Sequence, residues 1–187
     1  MIIAITGYIG VGKTTTANIF GTFGFEILEV DELGHLLLDR PEILEKLKKV
    51  FGLKILNRDL KVDRHKLAKV VFRDEGKLET LNSIVHPHLK EFIKQKLSEM
   101  SGNIVVDVAL FTELDIEQLA DMSILLSSDL LNIYERLSPQ YTKEEIINVM
   151  NNQHLIKNPD ITIDNNGTIE QLKSRVAQII KNKNIPI

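Results

Sequence analysis

Near its N-terminus the chain reads Gly7-Tyr8-Ile9-Gly10-Val11-Gly12-Lys13-Thr14. This octet fits the pattern G-x-x-x-x-G-K-[ST], in which a glycine-rich loop connects a strand to a helix. Its flanks agree with the pattern, because residues 1–6 form a short apolar run and residues 14–20 begin an amphipathic segment. A chance match is therefore disfavoured. The stretch predicts a strand, a loop and a helix, with a nucleotide phosphate site at the loop.

Each residue type in the octet has a chemical use at such a site. Gly7 and Gly12 permit backbone torsions that other residues avoid, and they leave room for phosphate oxygens. Successive backbone N–H groups, with a helix N-terminus behind them, form a concave anion site. Lys13 can place its ammonium on the β and γ phosphates, and the Thr14 hydroxyl can hold Mg²⁺.

The composition is that of an ordinary globular protein, with 43% hydrophobic and 26% charged residues in a chain of 187. We predict a single domain, 1–187, that carries a helical insertion. The net charge of −3 gives no electrostatic reason to bind nucleic acid or anionic lipid. Because the chain has no cysteine, disulfides and thiol catalysis are excluded, and a zinc site is disfavoured.

No apolar run approaches the roughly 20 residues that a membrane span needs, and no charged leader precedes the first strand. We therefore expect a cytoplasmic protein that binds neither nucleic acid nor membrane. The sequence leaves the oligomeric state open and favours a monomer.

Strand and helix patterns alternate along the chain, which favours an α/β fold with a five-stranded parallel sheet and helices on both faces. The predicted strands are 1–6, 25–30, 103–110, 122–127 and 161–163. The predicted helices run from 14 to about Gly24, from Pro41 to 51, from an Asp63 cap over 64–72, from His86-Pro87 to about 102, and from 168 to 181.

Two segments are too helical and too polar for the sheet layers, about 36–101 and about 129–157. In a phosphate-loop kinase they would be the acceptor-binding insertion and a small lid over the nucleotide. The core would then comprise about 1–35, 102–128 and 158–187. Plain crossover helices are the alternative, although the length of the first segment argues against it.

Three acids fall at predicted strand ends, where ligands bind in open α/β sheets: Glu29, Asp31 and Asp107. Asp31 could orient an acceptor hydroxyl and accept its proton, or it could cap a helix that begins at Glu32. Spacing alone leaves both roles open. Asp107 lies in an apolar strand and needs a partner. It could hold Mg²⁺ through water, contact the acceptor, or accept hydrogen bonds from loop amides.

Two further patterns are given structural interpretations. His86-Pro87-His88 has no third ligand nearby in the sequence, so we interpret it as a helix start with partly exposed imidazoles rather than a metal site. The sequences 31–34 and 164–167 both match D-x-x-G, but no N-K-x-D stretch follows either of them. We therefore interpret both as turn or cap chemistry.

Further motifs, taken in chain order, resemble those of dephospho-coenzyme A kinases, relatives of the nucleoside monophosphate kinases. After the phosphate loop come Val30-Asp31, Phe51-Gly52-Leu53-Lys54-Ile55-Leu56, Asp63-Arg64-His65-Lys66-Leu67-Ala68-Lys69-Val70-Val71-Phe72, Leu81-Asn82-Ser83-Ile84-Val85-His86-Pro87, Asp107-Val108-Ala109-Leu110-Phe111-Thr112-Glu113 and Ile163-Asp164-Asn165-Asn166-Gly167. The phosphate loop is common to many families, whereas this ordered series is far more specific.

The resemblance implies transfer of the ATP γ-phosphate to the ribose 3′-hydroxyl of dephospho-coenzyme A, with ATP and Mg²⁺ as cofactors. It implies that Asp31 engages that hydroxyl and that Arg64, His86 and Asp107 lie toward the acceptor. Arg136 would meet the transition-state charge and Thr14 the metal. The phosphates would be bound by Gly10, Val11, Gly12, Lys13, Thr14 and Thr15.

The chain departs from the family pattern at several positions. Glu29 stands where Asp is usual, and Ala109 replaces a usual proline. Similar proteins carry several arginines between the fourth and fifth strands, whereas residues 129–157 contain Arg136 alone. Either Lys143 and Lys157 compensate together with Arg136, or turnover is slow, or the acceptor differs. The competing hypotheses are a kinase for another nucleoside or nucleotide, and an ATP-binding regulator with weak catalysis.

Overall fold

The computed structural model describes residues 1–71, 74–138 and 140–186. Phe72, the predicted end of the helix that Asp63 caps, and Pro139, inside the predicted lid, lie outside these residues. The elements follow in the order β1 (Ile2–Gly7), α1 (Lys13–Gly21), β2 (Glu26–Glu29), α2 (Val30–Leu38), α3 (Pro41–Phe51), a 3₁₀ turn (Leu53–Ile55), α4 (Arg64–Val71), α5 (Glu75–Glu99), β3 (Ile104–Asp107), a 3₁₀ turn (Ile116–Gln118), β4 (Met122–Ser127), α6 (Leu130–Leu137), α7 (Lys143–Asn151), β5 (Ile161–Asp164) and α8 (Ile169–Asn182).

The strands of the described residues form one parallel sheet in the order β2-β3-β1-β4-β5. The predicted α/β fold with a five-stranded parallel sheet is thus confirmed. Ile5 and Glu29 both lie opposite Asp107, and Gly7 lies opposite Leu126. Because all strands run the same way, their carboxyl ends share one edge of the sheet, and the loop after the central strand β1 opens at that edge.

The core around this sheet is built from apolar faces of α1 and α8. Phe20 of α1 is fully buried and meets the ring of Phe25 edge to face, with centroids 5.1 Å apart. Helix α8 buries Leu172, Val176, Ile179 and Ile180. This packing anchors α1, and with it the loop that leads into α1.

The chain divides into two compact units. The first comprises Met1–Val30 and Lys96–Ile187, and the second comprises Asp31–Gln95. The sheet, α1, α6, α7 and α8 belong to the first unit. The second unit has its own buried apolar residues, among them Leu37, Ile43 and Leu47, and the Arg40 guanidinium lies 4.1 Å from the centre of the Phe92 ring.

Several predicted element ends are corrected by the structure. Helix α1 ends at Gly21, three residues early, and Gly24 lies instead in the turn to β2, with φ +89°. Strand β2 is shorter than predicted because the chain enters α2 at Val30. Strand β3 ends at Asp107 rather than residue 110, since the β2 ladder ends where Glu29 faces Asp107.

The prediction that His86-Pro87 opens a helix is wrong, because both residues lie inside α5, which ends at Glu99. Proline removes one hydrogen bond from a helix interior and crowds the carbonyl four residues earlier. Here Pro87 and Ser83 are both exposed, so water can solvate that carbonyl. Burial of Leu89 and Ile93 on the other side of α5 keeps the helix continuous.

Candidate active site

The loop between β1 and α1 has the backbone of an anion site. Gly7 and Gly12 have φ of +147° and +98°, in the region that favours glycine. A Cβ on Gly7 would overlap the Leu126 carbonyl oxygen. The first hydrogen bond of the helix runs from Thr16 N to Gly12 O at 3.0 Å, so the N–H groups of the first turn have no partner within the helix.

Lys13 lies at the start of α1 with its ammonium turned back over the loop. Its Nζ donates to the carbonyl oxygens of Gly7 at 3.1 Å and Tyr8 at 3.2 Å. Lys13 is half-buried, whereas Thr14 and Thr15 are exposed. The ammonium is therefore held over the first residues of the phosphate loop.

Thr14 and Asp107 meet at the carboxyl ends of β1 and β3. Thr14 Oγ1 donates a hydrogen bond of 2.6 Å to Asp107 Oδ2, and Asp107 is 8% exposed. The hydroxyl is a partner for the carboxylate that the sequence places in an apolar strand. Because Mg²⁺ prefers oxygen ligands and keeps several waters, one hydroxyl and one carboxylate suit it better than a closed cage. Within residues 1–71, 74–138 and 140–186, no group of three or more His, Cys, Asp or Glu side chains could hold a metal ion.

Arg136 of α6 is bonded to the phosphate loop. Its Nη1 donates to Gly10 O at 3.2 Å, Val11 O at 3.3 Å and Ser128 Oγ at 3.4 Å, and its Nη2 donates to Asn165 O at 2.7 Å. The guanidinium therefore brings positive charge to the loop, and it also binds loop carbonyl oxygens.

Two residues that contact the loop were given no role from sequence. Gln153 Oε1 accepts a hydrogen bond of 2.9 Å from Ile9 N, and Asn165 Nδ2 donates one of 2.8 Å to Val11 O. Asn165 belongs to the Ile163–Gly167 motif, so its position could have drawn attention to it. Gln153 belongs to none of these motifs and lies 144 residues from Ile9 along the chain, so it carries no comparable signal.

The segment after α7 makes a second contact next to Gln153. His154 Nδ1 lies 3.0 Å from Glu113 Oε1, at the turn that follows β3. Glu113 Oε2 is buried and has no hydrogen-bond partner among the described residues. The two contacts attach this segment to the phosphate loop and to the carboxyl-terminal side of β3.

Asp31, Arg64 and His86, the predicted acceptor residues, belong to the second unit. Asp31 is exposed in the first turn of α2, which begins at Val30, so Asp31 lies one residue inside the helix rather than at its N-cap. Arg64 is exposed at the start of α4 and His86 is half-buried in α5.

Asp63 caps α4 as predicted. Its Oδ1 accepts a hydrogen bond of 3.0 Å from Lys66 N, and this bond holds the pKa of Asp63 below its usual value.

Comparison with known proteins decides the family. The sequence model described as dephospho-CoA kinase matches residues 1–171. This chain belongs to the dephospho-CoA kinase family. The dephospho-CoA kinase of Fusobacterium nucleatum is 31% identical over 95% of this chain and 96% of its own length. That of Borreliella burgdorferi is 36% identical over 98% and 87%. A solved Thermus thermophilus structure superposes with a TM-score of 0.81 at 25% identity, covering 97% of both chains.

Membership in the dephospho-CoA kinase family makes the chain an ATP-dependent phosphotransferase. Among the described residues, no helix combines the length and the apolar character that crossing a bilayer requires.

Proposed function

We propose that this chain transfers the γ-phosphate of ATP to the ribose 3′-hydroxyl of dephospho-coenzyme A and so forms coenzyme A. The acceptor in this proposal comes from the family match over residues 1–171, and the structural observation that supports the donor site is the hydrogen bond between Thr14 and Asp107 at the mouth of the phosphate loop. In a member of this kinase family, that pair lies where a metal–nucleotide complex would need oxygen ligands.

The donor half of the site is assigned to the phosphate loop. The backbone N–H groups of residues 10–15 would bind phosphate oxygens, and the Lys13 ammonium would bind the β and γ phosphates. Thr14 and Asp107 would hold Mg²⁺, Thr14 directly and Asp107 through water. When bound there, Mg²⁺ would neutralise charge on the β and γ phosphates.

Arg136 is assigned to the negative charge that develops during transfer. Its guanidinium lies against Gly10 O and Val11 O, so its positive charge would act on a phosphate bound at the loop through the loop itself. We assign residues 129–157 as the lid that carries it, and residues 36–101 as the acceptor-binding insertion.

Asp31 is assigned to the acceptor hydroxyl. An exposed carboxylate can accept the proton that the 3′-hydroxyl loses during in-line transfer and can orient its oxygen. Arg64 and His86 would bind the rest of the acceptor, which carries a pyrophosphate that an arginine can pair with.

An acceptor panel tests this proposal. Purified protein is incubated with Mg²⁺ and ATP, and with dephospho-coenzyme A, its 3′-deoxy analogue, or common nucleoside monophosphates. Products are identified by mass spectrometry. We expect one added phosphate on dephospho-coenzyme A and none on the 3′-deoxy analogue, because that analogue lacks the accepting hydroxyl.

Two other outcomes would contradict the proposal in different ways. Transfer to a monophosphate but not to dephospho-coenzyme A would identify a kinase for another nucleotide. Tight ATP binding without transfer to any acceptor would identify a regulator, which the single arginine of residues 129–157 would then explain.

A further inference from the structure

We propose that Asn165 is a positioning residue for ATP, which acts by holding the Val11–Gly12 peptide in one orientation. The inference rests on the proposed ATP site. Asn165 follows β5 directly and is 8% exposed. Its backbone N donates to Ser127 O at 2.9 Å, which extends the pairing of β4 and β5 by one residue. The asparagine is therefore fixed by the sheet before its side chain reaches the phosphate loop.

The side chain of Asn165 fills the space that the phosphate loop leaves beside Gly12. Its Nδ2 donates to Val11 O at 2.8 Å. A Cβ on Gly12 would lie 2.5 Å from that Nδ2, nearer than real Cβ atoms come to a neighbour. Gly12 thus has two constraints, a φ of +98° and the amide of Asn165 against its Cα.

The orientation of the Val11–Gly12 peptide decides which of its polar groups faces a bound phosphate. In a planar trans peptide the carbonyl and the following N–H point in opposite directions. Holding Val11 O against Asn165 therefore turns the Gly12 N–H to the opposite side. Because glycine accepts either sign of φ, a flip of this peptide costs little by itself. A flipped peptide would present a carbonyl oxygen where the N–H would otherwise be, and that oxygen would repel phosphate.

Arg136 also stabilises this orientation of the Val11–Gly12 peptide. Its Nη1 donates to Val11 O and its Nη2 to Asn165 O, so Val11 O accepts hydrogen bonds from two side chains. A carbonyl held by an amide and a guanidinium loses both bonds if the peptide flips.

Asn166 provides a matched control in the same turn. Its Oδ1 accepts hydrogen bonds from Ser128 Oγ at 2.8 Å, Asp129 N at 2.7 Å and Asn132 Nδ2 at 2.9 Å. These bonds attach the turn to the start of α6. Its described hydrogen bonds involve no atom of the phosphate loop, so Asn166→Ala disturbs the turn and leaves the Val11 contact in place.

The test compares the binding of ATP and of adenosine, each by calorimetry without acceptor, to wild type, Asn165→Ala and Asn166→Ala. For Asn165→Ala we expect ATP binding at least tenfold weaker, with adenosine binding within about twofold of wild type. Asn166→Ala should keep the wild-type ratio of ATP to adenosine affinity. Circular dichroism and thermal unfolding establish that each variant is folded.

Equal losses for ATP and adenosine, or wild-type ATP binding by Asn165→Ala, would overturn the inference. If Asn165→Ala does not fold, Asn165→Ser is used instead, because the serine side chain is polar but too short to make the hydrogen bond to Val11 O. It should lose ATP affinity selectively, and unchanged selectivity in that variant would overturn the inference equally. The proposed function and the role of Asn165 can fail separately. The comparison of ATP with adenosine is made without an acceptor, so it remains valid even if dephospho-coenzyme A is not the acceptor.

Discussion

Asp31 and Asp107 are two carboxylates in opposite surroundings. Asp107 is almost fully buried and is held by Thr14 Oγ1, so its position is fixed by neighbouring strands. Asp31 is exposed in the first turn of α2, where the helix dipole favours a negative charge. A buried, fixed carboxylate suits a metal complex, and an exposed one suits a substrate that arrives from solution. This contrast is the basis of the different roles that we propose for them.

Asp31→Asn should lower kcat at least 100-fold while the ATP dissociation constant stays within about twofold. The amide cannot accept the proton of the hydroxyl, and general-base groups typically contribute 10²–10⁴-fold. Steady-state kinetics and calorimetry measure the two quantities. Glu32→Gln is the matched control, since it also removes an exposed acid from the first turn of α2 and should keep wild-type turnover. Near-normal turnover of Asp31→Asn would leave Asp31 a helix-stabilising residue.

Asp107→Asn should raise the Mg²⁺ concentration for half-maximal activity at least tenfold. The amide keeps an oxygen for Thr14 but loses the negative charge that attracts the cation. A magnesium titration at saturating ATP measures the effect. Asp121→Asn is the control, because Asp121 accepts a hydrogen bond from Ile2 N at the opposite end of β1. If Asp107→Asn titrates with Mg²⁺ like Asp121→Asn, Asp107 does not serve the metal.

Helices α7 and α8 both begin with a capping box but differ in the number of apolar side chains that they bury. The hydroxyls of Thr142 and Thr168 each accept a hydrogen bond from the backbone N–H three residues later, and side-chain oxygens of Glu145 and Gln171 accept one from the backbone N–H of the cap residue. Helix α8 buries four apolar residues against the core, whereas α7 buries Ile146. We therefore expect the cap of α8 to matter for global stability and the cap of α7 to matter locally.

Thr168→Ala should lower the free energy of unfolding by about 1 kcal/mol, the usual cost of losing such a cap. Urea unfolding followed by circular dichroism measures it, and Thr168→Ser should recover most of the loss because serine retains the hydroxyl. Thr142→Ala should change the midpoint less, since α7 can fray without opening the core. An equal effect of the two alanine variants would contradict this assignment.

At the scale of the whole molecule, the sequence was sufficient to predict the sheet and the phosphate loop. Apolar runs bounded by glycines and acids located every strand, because strands buried in a parallel sheet have few polar positions. The octet predicted the positions of Lys13 and Thr14. Because ligands bind at the carboxyl ends of parallel strands, the position of Asp107 at the end of a predicted strand indicated the same edge of the sheet.

Other features depend on contacts that no local pattern contains. Pro87 inside α5 was missed because helix rules treat proline as a boundary, whereas its exposure and the burial beside it decide the outcome. Gln153 and Asn165 reach the loop from 144 and 154 residues away. A single sequence gives no measure of such distances in space, so the contacts that these two side chains make with the loop could be identified only from the fold.

The contact between Asp160 and Ser123, next to β5 and within β4, should make the stability of the whole fold depend on pH. Asp160 precedes β5 and accepts hydrogen bonds from Ser123 Oγ at 2.7 Å and Ser123 N at 2.8 Å. The Ser123 hydroxyl, followed by its backbone N–H, lowers the pKa of Asp160 from its ordinary value of 3.8. A lowered pKa in the folded state means that the stabilisation is complete above the unfolded pKa and is lost as the pH falls through the folded value.

A double-mutant cycle with Asp160→Asn and Ser123→Ala should therefore give a coupling energy of about 1 kcal/mol at pH 7, small because the carboxylate is exposed. The coupling should stay constant down to about pH 5 and shrink below the ordinary Asp value of 3.8. Urea unfolding of the four proteins between pH 7 and about pH 3 measures it. A coupling that persists unchanged at the acid end would mean that the contact between Asp160 and Ser123 does not depend on the charge of Asp160.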